Sequence, residues 1–318
     1  MMDFLLITGG LILLCLGAES LLRGSLSIAR NFGLSKLLVG TVIVGFGTSL
    51  PELGVSVEAV LKGSSDIALG NVVGSNIANI LFILSLGVLL YPVLVQSHAV
   101  KRDAAVMVIS SLALCFIVLS GEIRFLAGLG LLCGLFTYVF LIYRADQKLQ
   151  TPDSVTLPSK ADDILKPAKA ILYSVIGLAL LITGAKLMVE GAISVARNLG
   201  ISEVVIGLTI VAVGTSLPEL ATSIMAAIKK QGEVIIGNVI GSNIFNILGI
   251  LGITAMVKPI IVAPQIASFD VWIMLAAALF LSILLWSNKK IGCIAGSFMI
   301  FGYIAYIAWL FWEQLPKI

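Results

Sequence analysis

Gly47-Thr48-Ser49-Leu50-Pro51-Glu52 recurs, letter for letter, as Gly214-Thr215-Ser216-Leu217-Pro218-Glu219. Both copies fall inside long apolar stretches. Each puts a glutamate and a proline where a membrane-spanning helix tolerates neither without reason. An ionisable residue at bilayer depth is costly and marks a substrate or ion path. Two copies at matched positions point to a transporter whose binding site lies between repeats.

The repeat extends well beyond the motif. A shift of 167 residues, the distance from Gly47 to Gly214, matches the chain to itself without a gap from about residue 17 to 103. Ala29-Arg30-Asn31 meets Ala196-Arg197-Asn198, and Gly70-Asn71-Val72-Val73-Gly74-Ser75-Asn76 meets Gly237-Asn238-Val239-Ile240-Gly241-Ser242-Asn243. Of the 318 residues, 59% are hydrophobic and 12% charged, against about 25% charged in soluble proteins. Mean hydropathy is +1.12. Apolar runs of about 20 residues, each long enough to cross a bilayer, recur along the whole length. The fold class is therefore an all-α polytopic membrane protein. The first apolar run lacks a basic leader and a small-residue cleavage site, and reads as a retained helix.

Breaks at Gly, Pro and charge divide each half into five spans. They are expected at 3–28, 36–62, 66–91, 103–121 and 123–143, then at 169–195, 203–229, 233–257, 268–286 and 291–312. Gly121-Glu122 is a thin boundary, and a re-entrant hairpin there is an alternative. The domain plan is a first repeat over 1–144, a polar linker over 145–168 and a second repeat over 169–318. Five is odd, so the halves must run through the membrane in opposite senses. With both termini outside, thirteen lysines and arginines fall in cytoplasmic loops and five in outer ones, as the positive-inside rule requires. The expected architecture is ten transmembrane helices in two inverted-topology five-helix repeats.

At each break, Pro51 or Pro218 releases the carbonyl four residues earlier. Such a carbonyl must be satisfied in the membrane, by a bound cation or by the Thr48 and Thr215 hydroxyls. Glu52 and Glu219 add a carboxylate to the two hydroxyls of each Thr-Ser pair, Thr48-Ser49 and Thr215-Ser216. All are hard oxygen donors, a set that suits Ca²⁺ or Na⁺ and not zinc or copper. Ser75 and Asn79 share one helix face, as do Ser242 and Asn246, and these four are assigned to ligation or its support. Asn71, Asn76, Asn238 and Asn243 read as helix-packing groups. Arg23 and Lys186 each have a carboxylate four residues away, Glu19 and Glu190, and are expected to pair there. Asp103 and Asp270 read as helix caps, His98 as a loop residue, and Glu58 as lying near the outer mouth. Cys15, Cys115, Cys133 and Cys293 form no Cys-x-x-Cys pair and read as packing residues.

At these motifs the chain resembles the cation/Ca²⁺ exchanger superfamily, most closely its prokaryotic Na⁺/Ca²⁺ exchanger branch. The resemblance covers essentially the whole chain. It implies ten helices, two inverted halves and a diamond-like cluster of four ion sites at mid-membrane. The matching positions are Thr48, Ser49, Glu52, Ser75 and Asn79, and Thr215, Ser216, Glu219, Ser242 and Asn246. Backbone carbonyls near Gly45 and Ala212 would complete the sites. It also implies that the first and sixth spans slide across a rigid core, and a place in the prokaryotic cytoplasmic (inner) membrane. Asn246 stands where some relatives, K⁺-dependent ones included, carry Asp, which leaves the central charge at about two carboxylates.

The expected function is secondary active antiport of Na⁺ against Ca²⁺, electrogenic if the family's unequal charge exchange holds. A Ca²⁺/H⁺ or broader cation/H⁺ antiporter is the first rival, since a carboxyl group carries a proton as well as a metal ion. A passive cation channel is the second. No nucleotide motif and no nucleophile beside a base is visible, so neither enzyme chemistry nor a cofactor is expected. The expected partners are Ca²⁺, Na⁺ and the lipid bilayer, with no nucleic acid and no obligate protein.

Overall fold

The computed structural model describes residues 2–94, 98–149, 164–199, 212–287 and 290–314. Most of the expected linker, from 150 to 163, and the start of the span expected at 203–229 lie outside them. Within the described residues the chain is almost wholly helical. Helix α1 is Met2–Asn31, α2 Lys36–Leu61, α3 Ser65–Leu90, α4 His98–Val118 and α5 Phe125–Leu149. Helix α6 is Pro167–Asn198, α7 Leu217–Ile228, α8 Gly232–Val257, α9 Ile266–Trp286 and α10 Cys293–Gln314. Eight of these helices are long and apolar enough to cross a membrane.

Helix α8 is the axis of the molecule. Every residue from Val234 to Gly252 is buried, as expected for a helix packed on all sides. It runs against the first part of α2 at very short range: a β-carbon on Gly241 would lie 2.3 Å from the Thr41 carbonyl oxygen, and one on Gly45 would lie 2.9 Å from the Ser242 nitrogen. Only glycine permits that approach. The outer surface is the reverse of a soluble protein's, with Phe116, Phe136, Ile283 and Phe301 exposed.

Helices α1 and α6 form a separate antiparallel pair. Gly10, Gly17 and Gly24 of α1 recur every seven residues, as do Gly177, Gly184 and Gly191 of α6. A β-carbon on Gly10 would lie 2.7 Å from the Gly184 carbonyl oxygen, one on Gly17 2.9 Å from that of Gly177, and one on Gly191 2.8 Å from that of Asp3. Numbers rise on one helix as they fall on the other. A seven-residue period keeps one seam of each helix facing its partner.

Two short β contacts tie the halves together. Glu122–Ile123 pairs antiparallel with Ile260–Ile261, and Val93 bridges Ile291.

Several expectations are corrected. Helix α4 starts at His98, so the histidine lies at a helix start and not in a loop. Asp103 is no cap: it sits within α4, buried, and accepts from Arg102 Nε at 2.8 Å. Asp270 closes a π-helical turn, Ile266–Asp270, and accepts from Tyr306 Oη at 3.0 Å. The neighbouring residue supplies a partner for one and a tenth-helix tyrosine for the other, so burial replaces capping. No re-entrant hairpin forms at Gly121, because α5 continues unbroken for 25 residues to Leu149.

Candidate cation site

The two Gly-Thr-Ser-Leu-Pro-Glu motifs break their helices in the same way. Ser49 leaves helical geometry (φ −86°, ψ 7°), and Leu50-Pro51-Glu52 starts a new helix. Ser216 (φ −89°, ψ 7°) and Leu217-Pro218-Glu219 repeat it. Each proline thus lies in the first turn of a helix, where its missing N–H costs nothing. Each glutamate lies in that same turn, where the helix dipole favours negative charge.

Both carboxylates are about as buried as any residue in the protein, at 1% exposure each. Each is held by a serine of the other half: Ser49 Oγ donates to Glu219 Oε1 at 2.8 Å, and Ser216 Oγ to Glu52 Oε1 at 3.2 Å. Ser216 Oγ also lies 3.4 Å from Ser75 Oγ. The Gly45 carbonyl gathers three hydroxyls, with Ser49 Oγ and Ser242 Oγ at 3.0 Å and Thr48 Oγ1 at 3.3 Å. Asn246 Nδ2 donates to Asn76 Oδ1 at 2.9 Å. Asn79 opens a π-helical turn, Asn79–Ile83, and Asn246 lies in another, Phe245–Ile250. Such turns are rare and frequent at functional sites. Thr215 Oγ1 lies 3.5 Å from Asn71 Oδ1. Ala212 opens a one-turn helix, Ala212–Gly214, before the second break.

Four oxygens of this cluster are buried without a hydrogen-bond partner: Glu52 Oε2, Glu219 Oε2, Asn79 Oδ1 and Asn246 Oδ1. All four are acceptors. Each orphaned buried acceptor costs about 1–3 kcal/mol, and a cation is the natural group to satisfy several at once. No group of three or more His, Cys, Asp or Glu side chains occurs among the described residues. The donor set is therefore two carboxylates with neutral oxygens, which fits Ca²⁺ or Na⁺.

The sequence reading missed two supports. Asn71 Nδ2 donates to the Glu52 carbonyl at 3.2 Å and to Ser56 Oγ at 3.0 Å. Asn238 Nδ2 does the same for the Glu219 carbonyl at 3.2 Å and Ser223 Oγ at 2.9 Å. Asn238 Oδ1 also faces Thr48 Oγ1 at 3.3 Å. These asparagines hold each Pro-Glu turn and reach the opposite half, which exceeds the packing role expected of them. Their signal was available: Ser56 and Ser223 are equivalent positions of the repeat. Asn76 and Asn243 do join α3 to α8, through Asn76 Nδ2 to the Asn243 carbonyl at 3.3 Å. The expected local pair of Glu19 with Arg23 gives way to a longer-range one. Glu19 Oε1 accepts from Lys229 Nζ at 2.9 Å, and the Arg23 guanidinium lies 5.8 Å from the Tyr173 ring centroid. Glu58 pairs with Lys62 on the surface.

Comparison with known proteins agrees with this chemistry. The family profile described as "Sodium/calcium exchanger protein" matches residues 2–144 and 169–312. Sodium/calcium exchanger MaX1 of Methanosarcina acetivorans is 33% identical, over 98% of this chain and 99% of its own. Inner membrane protein YrbG of Escherichia coli is 34% identical over 95% of each chain. A solved structure of the sodium-calcium exchanger NCX_Mj, soaked with Na⁺ and Sr²⁺, superposes with a TM-score of 0.84 at 30% identity, covering 96% of this chain and 98% of that one. With its apolar helices, its buried carboxylates and these relatives, the chain is an integral membrane protein that belongs to the sodium/calcium exchanger family.

Proposed function

We propose that this protein exchanges Na⁺ for Ca²⁺ across the membrane by alternating access, with Glu52 and Glu219 sharing the transported ion. The observation that carries the reading is the set of four orphaned buried acceptors where the two broken helices meet. Thr48, Ser49, Thr215, Ser216, Ser75 and Ser242 supply hydroxyls around them, and Gly45 and Ala212 supply carbonyls. Two carboxylates in a dry site are costly without a counter-charge. One Ca²⁺ balances them, and several Na⁺ do so by occupying neighbouring oxygens. The ions compete for the same groups, so neither passes without exchange.

The inverted ten-helix plan has support in the packing. Equivalent helices α1 and α6 run antiparallel. Val93 with Ile291, and Glu122–Ile123 with Ile260–Ile261, are contacts that require alternate loops to share a face. By the positive-inside count, the face bearing Arg30, Lys229 and Lys230 is cytoplasmic and both termini lie outside. The halves also differ in a way that suits alternating access. Helix α1 lies along Leu217–Ile228, whereas α6 makes no comparable contact with the equivalent segment Leu50–Leu61. The face closed by α1, sealed by the Glu19–Lys229 ion pair, is then the cytoplasmic one.

The test is Ca²⁺ uptake into proteoliposomes preloaded with Na⁺, against K⁺-loaded and pH-gradient controls. Uptake that requires the outward Na⁺ gradient is expected. Uptake driven by a pH gradient and indifferent to Na⁺ makes the protein a Ca²⁺/H⁺ antiporter instead.

A further inference from the structure

The orphaned oxygens of Asn79 and Asn246 both sit in π-helical turns, Asn79–Ile83 and Phe245–Ile250. In each turn a backbone bond reaches five residues back: Leu84 N donates to the Asn79 carbonyl, and Leu251 N to that of Asn246. The extra residue rotates the helix faces before and after it by about 100° relative to each other. The turn therefore decides where each asparagine points. Such turns are rare, so something outside the helix has to favour them. A ring stack meets each one. Phe82, in the first turn, stacks on Tyr303 of α10 with ring centroids 5.2 Å apart and planes inclined by 20°. Phe245, the residue before Asn246, stacks on Phe46 of α2 at 4.8 Å and 21°. The two halves reach this arrangement from different positions. Under the 167-residue shift Phe82 meets Gly249, and Phe245 meets Ala78. The Phe245 ring lies over Gly249, where a β-carbon would meet it at 2.7 Å.

We propose that these two ring stacks position Asn79 and Asn246 for the transported cation, an inference that rests on the function proposed above. Phe46 directly follows Gly45, whose carbonyl gathers three hydroxyls of the candidate site. The Phe46–Phe245 stack thus joins that carbonyl of the first half to the asparagine of the second. Tyr303 is itself anchored. Tyr303, Tyr306 and Trp309 of α10 recur every three residues, and neighbours at that spacing share a helix face. Tyr306 Oη donates to Asp270 Oδ1 at 3.0 Å, and Trp309 lies against Phe269 with ring centroids 3.7 Å apart. Phe269 and Asp270 belong to a further π-helical turn, Ile266–Asp270 of α9. Helix α9 meets the same network again at Met274, whose sulfur lies 3.6 Å from Asn76 Nδ2. Asn76 Oδ1 in turn accepts from Asn246 Nδ2. Stacked rings have a preferred geometry that aliphatic side chains lack, so each stack fixes the phase of its turn as well as covering it.

The test is calorimetric Ca²⁺ titration of the purified full chain in Na⁺-free detergent solution, with the unfolding midpoint followed alongside. Tyr303→Leu and Phe46→Leu are each expected to weaken Ca²⁺ binding about tenfold, while Tyr303→Phe, which keeps the ring, stays within about twofold of the wild type. Phe298→Leu is the control. It removes a ring pair with Phe280, also between α9 and α10, in which neither residue lies in a π-helical turn, and it is expected to leave the affinity unchanged. A stack that is only structural moves the midpoint and not the affinity. Wild-type affinity in Tyr303→Leu or Phe46→Leu overturns the proposal, as does an equal loss in Phe298→Leu. If the leucine variants do not fold, Tyr306→Phe decides. It removes only the hydroxyl bond to Asp270 and is expected to weaken Ca²⁺ binding about threefold, and unchanged affinity contradicts the proposal. A wild-type chain that binds no Ca²⁺ overturns the proposed function and this inference with it; wild-type binding with unaltered variants overturns this inference alone.

Discussion

The meeting point of α2, α3, α7 and α8 and the α1–α6 pair are both close helix contacts, yet they are held by different forces. At the first, serines, Thr48 and Asn76 donate across the halves to the glutamates, to Asn238 and to the Asn243 carbonyl. At the second, the contact rests on six glycines at seven-residue spacing. A directed polar network has one good arrangement and resists displacement. The glycine seam packs backbone against backbone, with the bond from Ser20 Oγ to the Tyr173 carbonyl at 2.8 Å as a directed polar contact across it. Under the proposed function, the polar network would select the ion and the α1–α6 pair would move as a unit across it.

The largest effects are expected at the carboxylates. Glu52→Gln and Glu219→Gln should each lower Ca²⁺ transport about 100-fold or more, since loss of one partner of a buried charged cluster costs about 3–5 kcal/mol. Radiolabelled flux checks it, and near-normal flux in either variant removes that glutamate from the site. Glycine variants come next. Gly241→Ala places a methyl group 2.3 Å from the Thr41 carbonyl oxygen, and overpacking of this kind costs about 1–3 kcal/mol. It should lower the unfolding midpoint and Ca²⁺ affinity together. Gly17→Ala meets Leu181 N at 2.8 Å but lies away from the site, so turnover should fall while Ca²⁺ affinity holds. Equal loss of affinity in both erases the distinction between the two regions.

Smaller effects refine it. Asn71→Ala and Asn238→Ala each free a Pro-Glu turn and should raise the apparent KM for Ca²⁺ about tenfold, the equivalent of about 1.4 kcal/mol. Initial-rate measurements over a Ca²⁺ series check this, and a change in maximal rate alone speaks against a positioning role. Glu58→Gln removes an exposed pair with Lys62 and should leave transport unchanged.

Much of the candidate site was legible because its residues are anomalous where they stand. A Pro-Glu dipeptide in an apolar run, seen twice, needs no structure to be noticed. The gap-free repeat then carried Ser75 and Asn79 to Ser242 and Asn246. What was not legible depends on distant partners. Glu19 looked satisfied by Arg23 four residues on, but Lys229 reaches it from another helix. Asp103 looked like a cap because burial was invisible. The π-helical turns at Asn79 and Asn246 leave no residue signature, since any apolar sequence can adopt them. The glycine period was present in the letters: Gly10, Gly17 and Gly24 match Gly177, Gly184 and Gly191 under the same 167-residue shift. Glycine in a membrane helix reads as ordinary composition until a partner with the same spacing is recognised.

Under the proposed function, one cation is held jointly by glutamates of opposite halves. Calorimetric Ca²⁺ titration of the purified protein, with and without Na⁺, tests it most directly. One high-affinity Ca²⁺ per chain is expected, displaced competitively by Na⁺ and lost in either Glu52→Gln or Glu219→Gln. Wild-type Ca²⁺ affinity in either single variant, or Ca²⁺ binding untouched by Na⁺, contradicts it.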